Sequence, residues 1–129
     1  GNYHYTEKFG LKILDVPLII GLNWILLSYS CAVLATFYFK SEWQKIIFGS
    51  VLMMTLDLLL EPFAIRHGFW VWENSLPTVQ NYVSWFFISI PIQFAYNKLV
   101  RSSLNFSGMF YIPILSLFLL FDLIISLIS

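Results

Sequence analysis

Charge is scarce in this chain: only 11% of its 129 residues are Asp, Glu, Lys or Arg, against about 25% in an ordinary soluble domain. The 7 basic and 7 acidic residues cancel. That balance excludes the basic footprint of a nucleic-acid-binding domain, and no nucleic-acid partner is expected. Cysteine is nearly absent. Cys31 stands alone inside an apolar run, which excludes an internal disulfide and a cysteine-based zinc site and leaves packing as its role. The two histidines, His4 and His67, are not paired at helical spacing, so no metal site is expected. The opening "GNYHYTEKFG" lacks the form of a signal peptide, and the numbering is expected to begin inside a longer protein.

What is abundant is apolar surface. Hydrophobic residues make up 59% of the chain and its mean hydropathy is +0.78, values that suit a bilayer better than water. A membrane helix needs about 20 mostly apolar residues at about 1.5 Å each. Four runs meet or approach that length: 16–39, which holds no charged residue, then 43–65, 82–97 and 108–129. The runs are continuously apolar and too long for barrel strands of about 10 residues with alternating faces. The expected fold is therefore an all-α bundle of about four transmembrane helices forming a single domain over 1–129.

Threading four spans through a bilayer puts the sparse polar residues in one layer. Asn23 lies about seven residues inside the first span, Asp57 about seven from the end of the second and Asp122 about six from the end of the fourth, each roughly 10 Å deep on the side of the N-terminal segment. Glu61 is one turn nearer that surface. The long connection carrying Arg66, His67, Trp70, Trp72 and Glu73 covers the same end. The opposite side carries Lys40, Lys45, Lys98 and Arg101 against Lys8, Lys12 and Arg66, so the positive-inside tendency favours it as the cytoplasmic side by one charge, a margin that does not fix the orientation.

Asp57 and Glu61 sit one helical turn apart, with Cβ atoms about 5–6 Å from each other on one face. An ionisable group in hydrocarbon costs roughly 2.5–3.5 kcal/mol on insertion scales, so it turns toward a cavity or a partner. A protonated carboxyl beside an ionised one is equipment for general acid and base catalysis; the competing reading is a structural network with Asn23, Arg66 or His67. Pro62 and Pro91 each deprive a carbonyl, that of Leu58 or Phe87, of its helical donor, which would suit a polar cavity. Trp70, Trp72, Tyr82 and Trp85 fit either an interfacial aromatic belt or a slot for a flat apolar substrate whose walls face a passing positive charge.

Three blocks, "GNYHYTEKFGLKILDVPLIIGLNW", "DLLLEPFAIRHGFWVW" and "PTVQNYVSW", carry a resemblance to the integral-membrane carotenoid biosynthesis proteins, a family that includes carotenoid hydratases such as bisanhydrobacterioruberin hydratase. The resemblance runs through Gly1, Tyr3, Tyr5, Gly10, Pro17 and Trp24, then Asp57, Pro62, Trp70 and Trp72, then Pro77, Asn81 and Trp85. It covers the first two-thirds of the chain and implies the C-terminal part of a larger protein of a prokaryotic cell membrane. It also implies addition of water to the terminal double bond of an acyclic carotenoid, without a cofactor. On that reading Asp57 and Glu61 are catalytic. Asn23, Trp24, Arg66, His67, Trp70, Trp72, Asn81, Trp85 and Asp122 bind the substrate. The partners are the carotenoid, membrane lipid and other enzymes of pigment synthesis. A carotenoid cyclase, which shares the first protonation, and a non-catalytic carotenoid-binding or scaffold subunit are the alternatives.

Overall fold

The computed structural model describes residues 3–6, 11–73 and 77–100. The expected fourth span, with Asp122, lies outside the described residues. Strands β1 (Tyr3–Tyr5), β2 (Lys12–Ile13) and β3 (Val16–Pro17) lead into helix α1 (Leu18–Tyr38); α2 (Glu42–Arg66), β4 (Trp70–Trp72) and α3 (Val79–Val100) follow. The fold is mostly helical, and two short antiparallel strand pairs that were not expected, β1 with β4 and β2 with β3, accompany the helices. Two of the helical stretches, Ile20–Tyr38 and Glu42–Arg66, are long and apolar enough to cross a membrane. Helix α3, where the third run was placed, is 22 residues long.

β2 and β3 form a hairpin whose two turn residues, Leu14 and Asp15, both have positive φ (50° and 64°). That is the handedness that keeps two twisted strands in register. The hairpin delivers Pro17 as the extended residue before α1, a place where a missing N–H leaves no helical bond unmade. Pro62 and Pro91 both lie inside continuous helices, α2 and α3.

The three helices pack on faces rich in small and polar side chains. Leu27, Cys31, Ala32 and Ala35 of α1 are buried with Ile46 and Met53 of α2, as are Ser28, Ser30, Ser50 and Ser89. Small residues let helix backbones approach closely. The buried serines of α1 and α3 bond back onto carbonyls of their own helices, Ser28 to Trp24 at 2.6 Å and Ser89 to Phe86 at 2.7 Å. Gln93 of α3 joins all three helices, donating from Nε2 to the Ser28 carbonyl and to Met53 Sδ, each at 3.0 Å. At the far end Lys98 pairs with Glu42 at 2.9 Å, tying the last turn of α3 to the first turn of α2.

Outside, the pattern is inverted relative to a water-soluble protein. Leu22, Ile25, Leu58, Leu59, Val83, Phe87 and Ile88 are exposed while Asp57, Glu61, Gln93 and Asn97 are buried. Polar groups turned inward and apolar ones outward suit hydrocarbon as the surrounding solvent.

Candidate active site

The site is built where α2 ends. His67 N–H donates to the Phe63 carbonyl, Gly68 N–H to Ile65 and Phe69 N–H to Ala64 at 2.8 Å, and Gly68 takes φ 62°. This is the Schellman arrangement, in which a residue with positive φ reverses the chain and satisfies the last carbonyls. The reversal lays β4 back beside the final turns of the helix it has just left. Alternate residues of a strand share a face, so Trp70 and Trp72 return together toward Glu61.

Both indole N–H groups donate to the same oxygen, Oε1 of Glu61, at 2.8 Å from Trp70 and 2.5 Å from Trp72. β1 holds that strand from the other side. Its register pairs Tyr3 with Trp72 and Tyr5 with Trp70, and the paired rings touch, with centroids 4.9 Å and 5.9 Å apart. Thr6 adds a tether through its hydroxyl to the Gly68 carbonyl at 2.7 Å and its N–H to the Phe69 carbonyl at 3.1 Å.

Asp57 lies one turn deeper on α2. Asp57 is 4% exposed and Glu61 3%. Oδ2 of Asp57 has no hydrogen-bond partner among the described residues. Both carboxyl groups line one small cavity, about 20 Å³ open to the centre of a water-sized sphere, which is room for about one water molecule. Trp24 from α1 and Asn81 and Trp85 from α3 complete its walls together with Tyr3, Tyr5, Trp70 and Trp72. Trp24 and Trp85 stack, with ring centroids 4.6 Å apart and planes inclined by 20°. Burial and then the neighbouring Tyr3 hydroxyl raise the Tyr5 phenol well above its ordinary range. Tyr5 therefore faces the cavity as a neutral O–H.

Of the residues singled out in the sequence, Asp57, Glu61, Trp24, Trp70, Trp72, Asn81 and Trp85 come together around this cavity. Asn23, Arg66 and His67 are not in its lining. Asn23 is adjacent to Trp24 on α1 and so about 100° around the helix from it. His67 packs instead against Phe63 and Phe69, with centroids 4.4 Å and 6.0 Å away, and Arg66 is exposed in the last turn of α2. Tyr3 and Tyr5 join the site without having been assigned to it. Their signal was an alternation, Tyr-His-Tyr matched by Trp-Val-Trp. Among the described residues no three His, Cys, Asp or Glu side chains form a group able to hold a metal ion.

A bundle of apolar helices that buries two carboxyl groups under an aromatic cover defines a class: a mostly helical protein with a small cavity lined by two carboxyl groups and aromatic rings. The family model for carotenoid biosynthesis proteins matches residues 1–128, and the chain belongs to that family. No curated protein matches it, and no solved structure does.

Proposed function

We propose that this chain carries the active site of a membrane enzyme that adds water to the terminal carbon–carbon double bond of an acyclic carotenoid, giving a tertiary alcohol. The observation that carries this reading is the pairing of two buried carboxyl groups, one turn apart, with a cavity the size of one water molecule walled by indole and phenol rings.

The chemistry follows from those parts. One carboxyl group protonates the CH carbon of the end group, the alkene electron pair forming the new C–H bond. The cation then rests on the carbon bearing two methyl groups, where aromatic faces stabilise it. Water attacks that carbon through oxygen and gives its surplus proton to the second carboxylate, which returns it to the first. Alkene and water are consumed in equal number and no electrons are exchanged, so the reaction requires no redox cofactor. General acid–base help of this kind contributes about 10²–10⁴-fold. The dimethyl-substituted end is larger than one water, so binding parts the aromatic walls; the depth of Asp57 and Glu61 suits a substrate that arrives along the lipid with its tip at the cavity.

A carotenoid cyclase would begin with the same protonation and trap the cation with a second double bond of the same molecule. The room for water beside both carboxyl groups favours hydration. Production of the complete protein in a host that makes an acyclic carotenoid separates the two. Hydration raises product mass by one water, whereas an unchanged mass with a new ring contradicts it. A scaffold subunit would bind pigment and leave both mass and structure of the carotenoid unchanged.

A further inference from the structure

We propose that Trp70 and Trp72 are positioning residues that divide the labour of the diacid, clamping Glu61 as the carboxylate through their two N–H groups and leaving Asp57 as the carrier of the transferable proton. The assignment of roles rests on the hydration reading above; the location of the proton does not.

Indole nitrogen can only donate. Two such donors converge on Oε1 of Glu61, at 2.8 Å and 2.5 Å, and an oxygen that accepts two N–H bonds and donates none is better matched to the anionic than to the protonated carboxyl group. Nothing comparable reaches Asp57, whose Oδ2 is buried without a partner among the described residues. No Lys, Arg or His lines the cavity among the described residues. Two ionised carboxylates one turn apart in a site of low dielectric repel strongly, and a single shared proton relieves that repulsion. The asymmetry in the donor pattern then decides where it resides: on the carboxyl that receives no N–H among the described residues.

The clamp is built into the backbone. Its two donors come from alternate positions of one strand, which the Schellman turn aims at the helix and the Tyr3–Trp72 and Tyr5–Trp70 pairs hold in register. During turnover Asp57 delivers its proton to the alkene carbon and Glu61, already anionic and oriented, receives the proton released by water. The pair resets by passing that proton back across one helical turn.

The test places the proton directly. Complete protein made by cell-free synthesis into lipid, with carbon-13 in the side-chain carboxyl of either aspartate or glutamate, is examined by infrared spectroscopy in H2O and D2O. The expected result is a protonated-carboxyl C=O band that moves on deuteration, shifts with the aspartate label and disappears in Asp57→Asn. A band that follows the glutamate label, one that survives Asp57→Asn, or no such band at all would overturn the proposal. A second measurement removes the donors and keeps the rings: Trp70→Phe together with Trp72→Phe is expected to lower kcat about tenfold or more with KM changed less than about twofold. Full turnover in that variant also overturns the clamp. The infrared result decides the matter even if the double variant fails to accumulate. A band behaving as expected beside a product that has gained no water would leave the clamp standing and remove the hydration reading.

Discussion

Trp24 of α1 and Trp85 of α3 lie face to face, their ring centroids 4.6 Å apart, and both line the cavity that holds Asp57 and Glu61. The pair therefore has two tasks, joining two helices and offering an aromatic face to a cation. An aromatic pair contributes about 0.5–1.5 kcal/mol beyond the area it buries. Trp85→Leu keeps apolar bulk and loses the π face. Turnover in this variant is expected to fall at least about tenfold, a loss of about 1.4 kcal/mol of transition-state stabilisation, while Trp85→Phe retains most of it. Equal activity in the two variants would remove aromatic stabilisation from the mechanism.

Asp57→Asn and Glu61→Gln keep shape and remove one proton-handling group each. Product formation is expected to drop by about 10²–10⁴ in at least one of them, with the amount of protein in the membrane unchanged on immunoblots. Wild-type product yield in both variants would support a scaffold role. Loss of the protein itself would indicate that the carboxyl groups serve helix packing.

Gly68 adopts φ 62° at the end of α2, where a residue with a Cβ carries about 1–2 kcal/mol of strain. Gly68→Ala is expected to lower thermal stability in detergent and to lower turnover as well, because the turn sets the path of β4. Gly68→Asn, which tolerates this conformation better, is expected to restore much of both. An alanine variant as stable and active as the parent would show that β4 is held by its pairing with β1 alone.

Gly49 leaves space for Gln93. A Cβ at position 49 would run into the side-chain amide that bridges the three helices. Gly49→Ala is expected to destabilise the bundle by about 1–3 kcal/mol through overpacking. Combining it with Gln93→Ala relieves the clash, so a double-mutant cycle followed by thermal unfolding should show a coupling of the sign that favours the double variant. Additive effects would contradict the contact.

The helices were legible because their apolar runs approach or exceed the length of a membrane span, and the carboxyl pair because residues one turn apart share a face whatever else the helix does. Depth alone, however, says nothing about direction around a helix. Asn23 and Trp24 lie at almost the same depth, yet only Trp24 reaches the cavity. The connection after α2 was harder. Whether Arg66 and His67 or Trp70 and Trp72 face the carboxyl groups depends on the reversal at Gly68, a single backbone conformation. The β1–β4 pairing joins three-residue strands more than 60 positions apart, too short to announce themselves by local propensity. Their matching alternation of aromatic residues was the available sign.

The most direct measurement follows the oxygen of the new hydroxyl group. With the complete protein in membranes, an acyclic carotenoid as substrate and water enriched in heavy oxygen, hydration requires a product heavier by one labelled water, formed equally well without air. A hydroxyl that takes its oxygen from oxygen gas, or a product of unchanged mass, would contradict it.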